Sequence, residues 1–207
     1  VVQNFPHADC ILCAELDQDV DLIENLADVP IGYKAFFHEP VWDSQDKKNK
    51  IYSLILVRSN PTLVIKYKFR SPPFTSIHIS NGKTISVNVT AFYKPVQSSN
   101  KWTYLCCNTE QFDANLSQII RLQSKIPSIL AGDLNTDLNK TNESATNYNA
   151  LFSRYKSRYD QPTFLRKNGD RMHTASMIDV FLTRGLEGET TIHNGRIYAN
   201  NDGHQLL

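Results

Sequence analysis

Short apolar runs, each bounded by polar turn residues, recur along this sequence and restrict the folds that are open to it. Residues 10–14 (CILCA) and 51–57 (IYSLILV) are almost continuously apolar, which is typical of strands buried on both faces. Asn81 and Gly82 give a strong hairpin signal between two further strands. The complete pattern also predicts strands at residues 63–69, 76–79, 83–92, 129–135, 161–165, 177–183, 193–198 and 205–207.

Helical patterns are few in comparison. From Thr109, apolar residues recur at helical spacing as far as Ile120, Thr109 can cap the start, and Pro127 lies beyond the end. A shorter helix is predicted at residues 148–159. Many strands with one or two helices indicate an α+β fold in which two packed sheets are covered by helices. Because no repeat, linker or low-complexity tract divides the chain, we predict one domain over residues 1–207.

Composition excludes several classes of protein. The 207 residues are 41% hydrophobic, which is enough for a sizeable core. No apolar run approaches the ~20 residues that cross a bilayer, and the first residues lack the basic region of an export signal. We therefore expect an intracellular protein without a membrane partner. Four cysteines are too few for a disulfide scaffold, and we expect them to be reduced.

Charge is distributed unevenly along the chain. Residues 1–46 contain ten acidic residues and one basic residue, Lys34, a net charge of −9; the total is +1, so the remainder carries +10. The acidic segment is suited to helping hold a divalent metal, and the basic remainder to attracting an anionic polymer. Residues 154–171 carry six basic and two acidic residues. They form either a solvated face or a surface that contacts phosphate.

Residues 129–135 (ILAGDLN) run from an apolar strand directly into Gly132, Asp133, Leu134 and Asn135. In an extended segment, residues two apart lie on the same side, so Asp133 and Asn135 share one surface while Leu134 faces the core. A carboxylate can activate water or bind a metal ion, and an amide can hydrogen-bond a phosphate oxygen. The alternative is a simple Asx turn after a strand.

Other polar residues lie at predicted strand ends. Glu15 closes the first strand. A carboxylate at that position is a good ligand for a hard metal ion; the alternative is that Glu15 is simply the first solvated residue after the strand. Asp179 lies in the apolar run MIDVFL, where a carboxylate needs a partner, and His204 is a candidate. Tyr93 follows the strand VNVTAF and precedes Pro95; a lone tyrosine there is usually a rim residue.

Taken together and in order, these positions resemble the motifs of the DNase-I-like endonuclease/exonuclease/phosphatase superfamily. They are most similar to the apurinic-type endonuclease domain of non-LTR (LINE-type) retrotransposons, and the similarity extends along nearly the whole chain. The segments that carry the resemblance are CILCAEL with Glu15, FYKP with Tyr93, AGDLN with Asp133 and Asn135, PTFL with Thr163, MID with Asp179, and DGHQLL with His204.

This resemblance implies a four-layer α/β/β/α sandwich and Mg²⁺-dependent nicking of DNA, with Mn²⁺ as a substitute ion. The nick would leave a 3′-hydroxyl primer for a fused reverse transcriptase, at a nuclear site of action. In the implied roles, Glu15 and Asp202 bind the metal ion, and Asp133 orients or deprotonates the attacking water. Asn135 positions the water or the phosphate, and His204, held by Asp179, stabilises the transition state. Tyr93 contacts phosphate, and Thr163 contacts the DNA.

The sequence departs from the family pattern at both ends. Family members begin with a strand that carries an active-site Asn, and then a helix; Asn4 lies only eleven residues before Glu15, too close for both. We therefore expect that first strand and helix, and part of the last strand, to be missing from this sequence. Gly203 occupies the position of the family's aspartate, so Asp202 can substitute only through a bulge. The alternatives are a catalytically decayed domain that binds nucleic acid, and a phosphoesterase of the same superfamily acting on inositol phosphates or sphingomyelin.

Overall fold

The computed structural model describes residues 8–24, 29–157, 164–168 and 171–187, and it contains two packed β-sheets. In the first sheet, a long central strand pairs antiparallel with three others. Its elements are β1 (Cys10–Asp19), the short helix α1 (Val20–Glu24), β2 (Tyr33–Phe37), β3 (Val41–Asp43) and the central strand β4 (Lys48–Arg58). The apolar run at residues 51–57 thus forms the middle of its sheet, as its lack of polar alternation predicts.

Among the described residues, the second sheet has six strands in the order β5-β6-β7-β8-β12-β9. Strands β7 and β8 are parallel, and the other neighbours are antiparallel. Their bounds are β5 (Val64–Phe69), β6 (Phe74–Ser80), β7 (Ser86–Tyr93), β8 (Ser128–Asp133), β9 (Lys156–Ser157) and β12 (Asp179–Arg184), with a separate hairpin of β10 (Phe164–Asn168) and β11 (Arg171–Ser176). The predicted hairpin at Asn81–Gly82 joins β6 to β7, and Gly82 has a positive φ of +73°. The loop spans residues 81–85, however, so β7 begins at Ser86 rather than at residue 83 as predicted.

Three further helices, α2 (Lys101–Tyr104), α3 (Thr109–Leu122) and α4 (Glu143–Leu151), lie between strands of the second sheet in sequence. Helix α3 carries the predicted apolar stripe, but its cap is Asn108 rather than Thr109. The Asn108 side chain accepts from the backbone N–H of Gln111, whose own side chain accepts from the backbone N–H of Asn108. No helix among the described residues is long and apolar enough to cross a membrane.

Apolar packing divides the molecule into four layers. Between the sheets, residues such as Ile55 pack against Ile77 and Val89. On the outer face of the second sheet, the apolar stripe of α3, including Leu116, packs against strand residues such as Leu130. Helix α1 packs on the outer face of the first sheet. The predicted order of helix, sheet, sheet and helix is therefore present.

Several predicted boundaries are wrong. The second helix was expected at residues 148–159 but spans Glu143–Leu151, because Asn142 caps it earlier by accepting from the backbone N–H of Ala145. Aromatic residues continue at helical spacing beyond its end because they belong to the same core, although the backbone there has left the helix. The short strands β2 and β3 were not predicted. The strands predicted at 193–198 and 205–207 lie outside the described residues.

Candidate active site

Three polar side chains stand in one row across the second sheet. Tyr93 on β7 is in register with Asp133 on β8, and Asp133 is in register with Asp179 on β12. Directly opposed residues of neighbouring strands share a face of the sheet. Val89 and Ala91, which alternate with Tyr93 along β7, pack toward the first sheet, so this row lies at the end of the interface between the sheets.

Asp133 and Asn135 form a closed unit at the end of β8. The backbone N–H of Asn135 donates to Oδ1 of Asp133 (2.7 Å), and its side-chain Nδ2 donates to Oδ2 (2.8 Å). Asp133 is 2% exposed, and Leu134 is fully buried in the helix-side core, as predicted. The turn and site interpretations of this segment are therefore compatible, because the Asx turn itself orients the carboxylate.

The reason for this proximity differs from the prediction. Alternation along a strand would place Asp133 and Asn135 on one side, but β8 ends at Asp133, and Asn135 has a left-handed backbone with φ of +46°. The close pairing thus comes from a strained turn rather than from strand geometry. Asparagine tolerates this conformation better than most residues, which explains its presence here.

Lys94, which no local sequence pattern marks, holds the same turn through three separate groups. Its backbone N–H donates to the carbonyl of Asp133 (2.8 Å), its carbonyl accepts from Nδ2 of Asn135 (2.8 Å), and its Nζ donates to Oγ1 of Thr136 (3.1 Å). The residue is 7% exposed, and Nζ lies 4.8 Å from the ring centroid of Tyr148. Burial lowers the pKa of Lys94, although nearby carboxylates, including Asp133, oppose the shift.

The sequence predicts Glu15 at the end of the first strand. In the structure it lies instead at a break within β1. The pairing with β4 passes from Ala14 opposite Ser53 to Gln18 opposite Ile51, so the residues between form a bulge. Two of them have positive φ, +54° at Glu15 and +47° at Asp17. Bulges redirect side chains and are frequent next to active sites. A positive φ is costly for residues other than glycine, and such strained residues cluster at functional sites.

Tyr93 connects Glu15 to the second sheet. Its hydroxyl donates to Oε1 of Glu15 (3.0 Å). Burial raises the pKa of the Tyr93 phenol and the negative Glu15 raises it further, so the phenol remains a neutral donor. Its ring stacks on Tyr52 at 5.9 Å, and Tyr52 in turn stacks on the buried His38. Tyr93 is therefore an internal link between the sheets, not a rim residue.

His38 supports this stack as a neutral ring. Its Nδ1 donates to the Glu39 carbonyl (2.7 Å) and its Nε2 accepts from the backbone N–H of Tyr52 (2.9 Å). Burial lowers the pKa of His38 to about 4, so it stays neutral at physiological pH.

Lysines neutralise much of the acidic opening segment. Lys101 of α2 lies 4.0 Å from Oε1 of Glu15 and 3.6 Å from Oδ2 of Asp17, and above the Tyr93 ring at 5.1 Å from its centroid. Lys50 contacts Asp17 (2.9 Å) and two further carboxylates. Within the described part of the chain, no three His, Cys, Asp or Glu residues form a metal-binding group. Any metal ion at Glu15 would therefore need water and substrate oxygens as most of its ligands.

Three predicted site residues, Thr163, Asp202 and His204, lie outside the described residues, so their roles remain predictions. The pairing of Asp179 with His204 stays a prediction for the same reason. Sequence analysis missed Lys94, Asp17 and Lys101. Asp17 follows Glu15 by two residues and was open to the argument made for Asp133 and Asn135, whereas no local pattern marks the two lysines.

No family model and no curated protein sequence matches this chain. Solved structures do resemble it. An endonuclease/exonuclease/phosphatase family protein from Leptotrichia buccalis gives a TM-score of 0.61 at 16% identity, over 97% of this chain and 86% of that chain. The catalytic domain of human Nocturnin gives a TM-score of 0.56 at 13% identity, over 89% of this chain and 71% of that chain. ANGEL2, a 2′,3′-cyclic phosphatase, gives a TM-score of 0.54 at 10% identity, over 92% of this chain and 73% of that chain. These similarities confirm the predicted DNase-I-like fold, and at such low identity they show the fold alone.

Proposed function

We propose that this chain is a Mg²⁺-dependent phosphodiesterase that nicks DNA. The observation that carries the proposal is the constrained group at the ends of β7 and β8. There the buried Asp133 carboxylate is held by Asn135, and neighbouring Tyr93 reaches Glu15 of the other sheet. Carboxylates, a carboxamide and a phenol that converge in this way are suited to phosphate-ester hydrolysis. The proteins that share the fold include members of the endonuclease/exonuclease/phosphatase family.

Glu15 is the proposed metal ligand, with Asp202 as a second. The exposed Glu15 side chain on its bulge fits Mg²⁺, which commonly uses one or two protein carboxylates and completes its shell with water and phosphate oxygens. Mn²⁺ would substitute because it also accepts carboxylate and water ligands. When bound, the metal ion supplies charge neutralisation at the phosphate and at the leaving oxygen.

The remaining roles belong to side chains of this chain. Asp133 orients or deprotonates the attacking water, since its two oxygens are fixed by Asn135 in one orientation. Asn135 positions the water through Oδ1, or a phosphate oxygen if Nδ2 exchanges its hydrogen bond to the Lys94 carbonyl for the substrate. Tyr93 contacts phosphate as a neutral donor by exchanging its hydrogen bond to Glu15 for one to a phosphate oxygen when the substrate binds. We further propose that Asp179, adjacent to Asp133 in the sheet, holds His204, which stabilises the transition state, and that Thr163 contacts DNA.

The biological context is also a proposal. The segments FYKP, PTFL and DGHQLL resemble the endonuclease domain of non-LTR retrotransposons. We infer that the nick leaves a 3′-hydroxyl that primes reverse transcription by a polymerase fused to this domain, acting in the nucleus. Direct contacts to the DNA backbone would position the duplex, whereas base contacts would define any target preference.

The test is conversion of supercoiled plasmid to nicked circles by the purified chain. We expect nicking with Mg²⁺ or Mn²⁺, no nicking with EDTA, and product ends that a DNA polymerase extends without prior phosphatase treatment. Ends that cannot be extended would contradict the priming role. No nicking with either ion, by a chain shown to be folded, would contradict the proposed activity.

Two alternatives have specific support. A phosphoesterase of the same superfamily that is not a nuclease is consistent with the similarity to ANGEL2, a 2′,3′-cyclic phosphatase, and faster phosphate release from inositol phosphates than nicking of plasmid would favour it. A decayed domain that binds nucleic acid is consistent with Gly203 at the position of the family's aspartate. DNA retention in a gel-shift assay, without any nicking, would favour that interpretation.

A further inference from the structure

A long stretch of this chain contains no acidic residue. Between Asp46 and Glu110 lie 63 residues with ten lysines and arginines and no aspartate or glutamate. This stretch forms β4 to β7 and α2, including the outer edge of the second sheet. The uneven charge along the sequence therefore places positive charge at the outer edge of the second sheet.

Five of these ten cations already have a structural use. Lys48, Lys50 and Lys101 pair with carboxylates of the acidic opening segment, Arg58 pairs with Asp9, and Lys94 is buried. Strand β5 is different. Among the described residues, no carboxylate lies within ion-pair distance of its lysines, Lys66 and Lys68, or of Arg70, which follows the strand.

Three exposed residues and the half-buried Arg70 form a surface that we call the β5 basic edge and define as Lys66, Tyr67, Lys68 and Arg70. In the described structure β5 pairs with β6 alone, and both lysines are exposed. Tyr67 is 38% exposed, and the Arg70 guanidinium lies 4.4 Å from its ring centroid. Arg70 is fixed further by donating Nε–H to the Phe37 carbonyl (3.3 Å). Lys66 and Lys68 thus precede and follow Tyr67 along β5, and the Arg70–Tyr67 pair beside them is anchored to Phe37 of the first sheet.

The β5 basic edge reaches the same end of the second sheet, measured along its strands, as the candidate active site. Phe69 pairs with Ser76 near the start of β6, and that start pairs with the end of β7 at Phe92, next to Tyr93. With about 3.3 Å per residue along a strand and about 4.8 Å between strands, Lys68 lies on the order of 15–20 Å from Asp133. Because duplex DNA rises about 3.4 Å per base pair in each strand, this distance corresponds to about five base pairs.

We propose that the β5 basic edge binds the phosphate backbone of a DNA duplex whose neighbouring segment lies at Asp133. The proposal rests on the proposed function for the class of substrate. Lysines on an edge strand also prevent sheets from pairing edge to edge, which is the competing explanation. The two explanations predict different effects of glutamate, since a glutamate blocks edge pairing as a lysine does but repels phosphate.

The experiment measures binding of the full chain to a short fluorescein-labelled duplex by anisotropy, in EDTA, between about 50 and 200 mM salt. The test variant is Lys66→Glu/Lys68→Glu. Its control is Lys47→Glu/Lys140→Glu, which makes the same change of charge at exposed lysines in two turns. The conservative variant Lys66→Arg/Lys68→Arg keeps the charge. Circular dichroism confirms folding, and Lys66→Gln/Lys68→Gln replaces the test variant if that variant does not fold.

We expect the test variant to bind at least about 30-fold more weakly and the slope of log affinity against log salt to fall by about two, one per lost phosphate contact. The control and the arginine variant should stay within about threefold of wild type. Equal weakening of test and control would overturn the proposal, because net charge alone would then explain binding. Binding of phosphatidylserine vesicles but not of duplex DNA would overturn it as well.

Because the assay contains no metal ion, its result is independent of catalysis. A chain that binds through the basic edge but never nicks would contradict the proposed function and leave this inference standing. A chain that nicks normally after the charge reversal, with unchanged binding, would overturn this inference and leave the proposed function standing.

Discussion

Replacing Lys50 with methionine removes an ammonium group that three carboxylates share. Lys50 Nζ lies 2.9 Å from Asp17 and 3.2 Å from Asp43, and it also contacts Asp46. The lysine side chain is 9% exposed and that of Asp43 is 8% exposed. Methionine preserves most of the volume, so the main effect is to leave buried negative charge without its partner.

The size of the effect follows from these exposures. Breaking a buried ion pair by removing one partner costs about 3–5 kcal/mol. Asp17 and Asp46 are 40% and 56% exposed, so they can turn toward water and add little. We therefore expect a loss near the lower limit, about 3 kcal/mol. At about 2–4 °C per kcal/mol for a chain of this size, the melting temperature should fall by about 6–12 °C.

The pH dependence has a definite sign. Burial pushes the pKa of Asp43 upward, but the backbone N–H groups of Gln45 and Asp46 and the Lys50 ammonium outweigh it and hold the pKa below its ordinary value. A carboxyl with a depressed pKa stabilises the fold above its unfolded pKa of about 4, and this contribution disappears as pH falls through the folded value. The difference between wild type and Lys50→Met should thus be constant from about pH 5 to 8 and shrink below about pH 4.

Lys48→Met is the matched control, measured by thermal denaturation beside Lys50→Met. Lys48 also pairs with an aspartate of β1, Asp19 at 3.1 Å, but its side chain is 54% exposed. A pair of this kind is screened by water and contributes little, so the melting temperature should change by less than about 4 °C. Equal shifts for the two variants, or a Lys50→Met effect that persists at low pH, would refute the reasoning.

Two further substitutions test the site itself. Gly132→Ala should destabilise the fold by about 1–3 kcal/mol in a thermal melt, because a Cβ there would lie 2.9 Å from the carbonyl carbon of Phe92 on the neighbouring strand; an unchanged melting temperature would contradict this packing. Tyr93→Phe removes the hydroxyl donated to Glu15. It should slow nicking while costing no more than about 1.5 kcal/mol of stability in the same melt, and full activity would show that the hydroxyl has no catalytic use.

The sequence predicted the strands and the layers well because burial leaves a local record. A strand covered on both faces must be apolar at nearly every position, as residues 51–57 are, and a helix on a sheet must repeat its apolar residues as α3 does. An element such as β3 leaves no such record because its three residues are too few to show a repeating pattern, although Val41 and Asp43 are buried. The position of α4 was wrong because Asn142 sets its start, whereas apolar spacing alone favoured a later one.

The candidate site was only partly predictable for a related reason. Asp133 and Asn135 are close in sequence, so local geometry could bring them together, although a left-handed turn does so rather than strand alternation. The contact between Tyr93 and Glu15 joins residues 78 apart and depends on how two sheets pack. Lys94 and Lys101 belong to the same long-range geometry, which no local spacing encodes.

The most direct test of the account compares two aspartates of one loop by single-turnover nicking of supercoiled plasmid. Asp133→Asn removes the carboxylate at the end of β8. Asp137→Asn makes the same chemical change four residues later, where Oδ1 accepts from the backbone N–H groups of Asn139 in the same loop and of Met177, which precedes β12. We predict that the first variant is slower by at least about 100-fold and the second by less than about fivefold, with both chains folded. Wild-type nicking by Asp133→Asn would contradict the assignment of this site.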